Sequence, residues 1–90
     1  MTWILNSCAT IHATSHREIF TNYTVGDFGV VKMGNNDRAK IIRRGDVHLE
    51  TENGTTLVLE SVRHVEALWI NIISFELLDG YGYSSRFRNA

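Results

Sequence analysis

The sequence predicts a mainly β domain with one short helix near its C-terminal end. Two observations carry that reading. Residues 41–64 hold two apolar-polar alternating runs on either side of Asn53-Gly54, the strongest short hairpin signal a sequence offers. The period then changes: apolar residues at 68, 69, 70, 72, 73, 75, 77 and 78 follow a helical spacing and are apolar nearly all round. The chain has no proline, no low-complexity segment and no linker, and its 90 residues make one domain, 1–90.

The elements follow in order. Trp3-Ile4-Leu5 reads as a short buried strand, and residues 6–16 as a turn of small polar residues. Residues 17–23 form a helical turn or a loop that packs Ile19, Phe20 and Tyr23. Residues 28–34 alternate as a strand, with Val30 and Val31 β-branched, and 34–37 have turn chemistry. Residues 39–51 read as one long strand, bulged at Gly45. A type I′ turn at Asn53-Gly54 returns the chain antiparallel, with Leu57, Leu59 and Ser61 on one face and Val58, Glu60 and Val62 on the other. In the helix-like run, Asn71 or Ser74 can cap and Gly80 suits the stop. Residues 81–87 close the chain as a short strand.

Composition excludes several functions. A hydrophobic content of 43% is that of a globular chain. Lys and Arg number 9 against 10 for Asp and Glu, a net charge of −1, so no nucleic-acid partner is expected. One cysteine, Cys8, excludes an internal disulfide. No apolar run reaches the roughly 20 residues of a membrane span, and "MTWILNS" lacks the parts of a secretory signal. The expected location is intracellular, cytoplasmic or nuclear, without membrane contact.

"WILNSCATIHAT" (Trp3 to Thr14) resembles the active-site loop of copia-type retrotransposon proteases, whose usual form is W-I-L-D-S-G-A-T/S-x-H. Residues 45–87 resemble the same family's G-x-V-x-L, hairpin, L-x-V-x-x-V-P-x-L-x-x-N-L-I-S and L-x-x-x-G-Y-x-x-x-F pattern. Plant elements are the closest in style. The resemblance spans nearly the whole chain and implies a retropepsin-like fold: a small closed β-barrel, working as a homodimer, with hairpin arms closing over a peptide groove.

The departures are chemical. The family's catalytic Asp maps to Asn6, whose amide cannot take a proton from water. Ser7 is retained, Cys8 replaces the loop glycine, Ala9 and Thr10 fit, and His12 fits as a structural residue. Glu66 stands where the family usually has proline. Family members carry strand sequence before the loop, so the resemblance implies truncation at both ends. The expected function is therefore a catalytically inactive domain acting by protein binding, as a homodimer or with a heterologous protein through open sheet edges. The alternative is an aspartic peptidase of a retrotransposon polyprotein, weakly active or silenced by Asn6. The candidate site is Asn6, Ser7 and Cys8. Ala9, Thr10, Asp46, Val47, His48, Asn53 and Gly54 are candidate binding residues, with 46–58 as the flap-like arm. No cofactor and no metal are expected: Cys8, His12 and His16 share a spacing that would suit zinc on a helix, but they sit in a loop and lack a fourth ligand. His48 and His64 read as exposed strand residues.

Overall fold

The computed structural model describes residues 1–32, 36–80 and 87–89. Its strands are β1 (Trp3–Asn6), β2 (Ala13–Thr14), β3 (Thr24–Val25), β4 (Val30–Lys32), β5 (Arg38–Lys40), β6 (Arg43–Glu50), β7 (Thr55–His64), β8 (Asn71–Ser74) and β9 (Phe87–Asn89). A 3-10 turn covers Arg17–Ile19, and helix α1 covers Phe75–Gly80. The fold is mainly β with one short helix. Among the described residues no helix is long and apolar enough to cross a membrane.

Seven strands form one sheet in the order β1-β8-β2-β7-β6-β3, with β9 paired to β7. The β1–β8 and β2–β7 pairs are parallel, and the other pairs are antiparallel. β4 and β5 make a separate two-stranded arm. Strand pairing leaves this path open between β1 and β3, so among the described residues no ladder closes the expected barrel.

Several expectations shift. β1 forms where expected but is not buried: Ile4 and Leu5 are 46% and 57% exposed, because β1 ends the sheet. Residues 6–16 are not turn throughout, since Ala13 and Thr14 form β2, buried between β7 and β8. The run 39–51 breaks at Ile41-Ile42, whose backbone bonds Gly26, Phe28 and Gly29 instead of continuing a strand. The expected helix from 68 begins only at Phe75. Residues 71–74 are a strand, in which Ile72 and Ile73 pair with Ile4 and Leu5. A short buried apolar run suits either state, and here the available sheet edge decides. Of the helix caps considered, Ser74 acts: its Oγ accepts the Leu77 N–H at 3.2 Å. Of the closing strand, 81–86 lie outside the described residues, and Phe87–Asn89 is β9.

The long β6–β7 hairpin is present, with a different turn. The Gly54 N–H reaches Thr51 O at 3.1 Å, and Thr51 N–H reaches Thr55 O at 2.8 Å. Gly54 has φ +81°, while Asn53 does not enter the left-handed region. The loop is therefore three residues, 52–54, with glycine in the left-handed position, rather than a two-residue type I′ turn. Asn53 Oδ1 accepts the Thr55 N–H at 3.2 Å and rigidifies the tip.

The bulge is real, and the extra residue lies on β7. Gly45 pairs with Val62 and Val47 with Leu59, so Asp46 faces both Glu60 and Ser61. Ser61 takes φ +55°. The inward face therefore changes phase: Leu57 and Leu59 are buried before the bulge, Val62 and His64 after it. This moves Ser61 out of, and Val62 into, the buried row. His64 is 8% exposed rather than a surface residue. Its Nδ1 accepts the Tyr23 hydroxyl and its Nε2 donates to Ser15 O at 3.2 Å.

Two apolar clusters result. The larger joins Phe20, Val47, Leu57, Leu59, Val62, Ile73 and Leu78. The smaller joins Ala13, Ile41 and Val65, with Phe28, Val31 and Leu68 packed on it, and it attaches the β4–β5 arm to the sheet.

At Gly45 an added Cβ would lie 2.0 Å from Asn22 O, a backbone atom. Gly45→Ala should cost about 2 kcal/mol. Ser61→Gly should relieve roughly 1 kcal/mol of left-handed strain. Thermal denaturation of the two variants should show melting shifts of opposite sign.

Candidate functional site

β1 delivers Asn6 to the start of a tight loop. Its Oδ1 accepts the Cys8 N–H at 2.8 Å, and its carbonyl accepts the Ala9 N–H at 3.4 Å. The first bond closes a side-chain turn over Ser7. It also fixes the amide, with the oxygen toward the loop and the nitrogen outward. Asn6 is half-buried, while Ser7, Cys8 and Thr10 are exposed.

The loop is held from below by β8 and α1. Ser74 Oγ donates to Ala9 O at 2.7 Å. The Ser74 N–H donates to His12 Nδ1 at 2.9 Å. Three residues earlier, Asn71 accepts the Thr14 hydroxyl at 2.7 Å and donates to Thr2 O at 2.9 Å. Thr14 and Ser74 are fully buried, and His12 and Asn71 nearly so. These short polar side chains replace the ladder bonds that a turning chain forfeits.

His12 is a neutral brace. Burial, with the Arg63 charge adding to it, lowers its pKa to about 4. Nδ1 accepts a hydrogen bond, so the proton of the neutral ring sits on Nε2. This fits the structural role expected of His12. It also leaves His12 unsuited to activating Cys8. Among the described residues no three His, Cys, Asp or Glu side chains gather to hold a metal.

An open groove of about 480 Å³ lies beside the loop. Cys8, Ala9, Thr10 and Ile11 form one wall, and residues 28–32 form the other. Ile41, Leu68 and Ile72 line it too, so the smaller apolar cluster is its floor. Asn6 and Ser7 stand at the head of the loop, just outside the lining. Two expected binding residues, Ala9 and Thr10, are thus on the groove wall, together with Cys8 of the expected site.

The others are elsewhere. Asp46 is a structural knot: Oδ1 accepts the Ser61 N–H at 3.1 Å, Oδ2 accepts from Asn22 at 2.9 Å, and its own N–H donates to Asn22 Oδ1 at 3.0 Å. Val47 is fully buried in the larger core. His48 is exposed on β6, opposite Val58. Asn53 and Gly54 cap the hairpin tip. The arm beside the groove is β4–β5, not residues 46–58. Phe28, Val31 and Leu68, none of them an expected site residue, also line the groove. Their apolar character was visible, but which face they presented was not.

The Pol polyprotein β-barrel domain family matches residues 3–83. The chain belongs to this family. It is also 48% identical over 87 residues to the retrovirus-related Pol polyprotein from transposon TNT 1-94 of Nicotiana tabacum. That alignment covers 97% of this chain and 7% of the tobacco protein. The chain thus spans a small part of its curated relative's length. No solved structure matches. The family match takes in β1, the loop, the groove and α1, so the site described here lies within the Pol β-barrel domain.

The His12 brace has a pH signature. A histidine whose folded pKa is depressed contributes nothing unfavourable above its unfolded pKa of 6.5. As pH falls below that value the unfolded chain takes up a proton that the native state refuses. Stability should therefore drop by about 3 kcal/mol between pH 6.5 and 4. Denaturant titrations across that range should show the slope, and it should flatten in His12→Gln.

Proposed function

We propose that this Pol β-barrel domain is a retropepsin-like domain of copia-type origin that binds peptide or protein segments without cutting them. The carrying observation is Asn6. It occupies the loop where the resembling proteases place their acid, and its Oδ1 receives the Cys8 N–H at 2.8 Å. With a carboxylate there, the same N–H would favour the ionised form. The scaffold for an acid is present and the acid is absent. Aspartic catalysis needs two carboxylates sharing a proton, one as base toward water and one as acid toward the leaving amine. The loop from 6 to 12 carries no carboxylate, and neither does the described groove lining.

Assembly with a second copy is part of this reading. Ile4 and Leu5 lie exposed on the edge strand, and Trp69 and Phe75 nearby in sequence to its partner β8 are 92% and 51% exposed. An unpaired edge with apolar side chains favours association. A homodimer would bring two Asn6 loops toward a common axis.

Two measurements test the proposal. Sedimentation velocity should give twice the 10.2 kDa chain mass at micromolar concentration; a persistent monomer would remove self-association and leave a heterologous partner to complete the edge. A peptide-cleavage assay in mild acid should show no turnover by the unaltered chain and pepstatin-sensitive turnover by Asn6→Asp. Pepstatin-sensitive cleavage by the unaltered chain would overturn the non-cutting reading in favour of a weakly active peptidase.

A further inference from the structure

Resting on the peptide-binding reading of the groove, we infer that its preferred occupant is an extended peptide with an apolar centre and acidic flanks. Three features of the β4–β5 arm point there. First, β4 borders the groove and β5 does not: residues 28–32 line it, and none of Arg38–Lys40 does. β4 pairs only with β5 among the described residues, so its other edge retains free backbone donors and acceptors beside the groove. An extended peptide can add there as a further strand, with its apolar side chains on the Ile41, Leu68 and Ile72 floor.

Second, the groove has one sign of charge. Lys32 is the charged residue of the described lining, and no carboxylate accompanies it. Asp27, next in sequence to the lining residue Phe28, turns toward the Gly29 N–H at 3.4 Å. Third, the cations on the arm face each other. Lys32 is directly opposite Arg38, and Lys40 is opposite Val30. A directly opposed like-charge pair is destabilising in the free arm. Among the described residues no carboxylate is bridged to Lys32 or Arg38. Asp37, which has an interaction of its own, is the one acid within 32–44. An acidic residue flanking the bound segment would relieve that repulsion, whereas a basic one would add to it.

The test uses fluorescence anisotropy on the full chain. The probes are short labelled peptides that share one apolar centre and carry either glutamate or lysine flanks. The glutamate-flanked peptide should bind about tenfold more tightly, a preference that shrinks at high salt. Lys32→Glu combined with Arg38→Glu changes exposed arm positions and should invert the order. Equal binding of both peptides would overturn the charge preference while leaving the groove reading in place. Binding of neither would overturn the groove reading and the inference with it.

Discussion

The Ser74 junction is the constraint on which the upper half of the molecule depends. Its backbone N–H meets His12, its hydroxyl reaches Ala9 O, and the same oxygen starts α1 by accepting the Leu77 N–H. One fully buried residue therefore joins the two ends of the loop to the helix start. Such a junction works only if every polar group in it is satisfied, because a lone buried donor costs more than a made bond contributes. The neutrality of His12 belongs to the same requirement. A charged ring could not accept the Ser74 N–H. The depressed pKa keeps the brace intact in mild acid, the range where two-carboxylate chemistry operates, at the expense of stability there.

The lower half depends on a different device. The extra residue at Ser61 turns the inward face of β7 by one position, and so lets one strand serve two surroundings. Before the bulge, Leu57 and Leu59 fill the larger core. Beyond it, Val62 still packs there while His64 meets Tyr23 and Ser15 O. Asp46 and Asn22 bind the bulge to the loop between the 3-10 turn and β3. Asp46 is thus a polar residue on a strand whose charge serves folding.

Site and scaffold are separable in this domain. The loop around Asn6 is held in shape by the amide oxygen, since the Cys8 N–H needs only an acceptor. The brace, the groove floor and the arm take no part in that bond. The apolar floor of the groove, made by Ile41, Leu68 and Ile72, holds its shape without a titrating group.

The sequence by itself determined the β-rich class, a hairpin within 41–64, the loop with Asn6 at its head and Ser74 as one of two capping candidates. These rest on local patterns: alternation, turn residues and a hydroxyl before a helical turn. Tertiary structure alone decided the rest. Ile72 and Ile73 became strand because the edge of β1 was there to pair with. Ile41 left the strand because Gly29 and Phe28 offered backbone partners and the small cluster offered burial. Val47 went to the core and Val31 to the groove, although both sit in similar alternating runs. Alternation states that two faces differ. It does not state what each face will meet, because that depends on contacts between residues far apart in the chain.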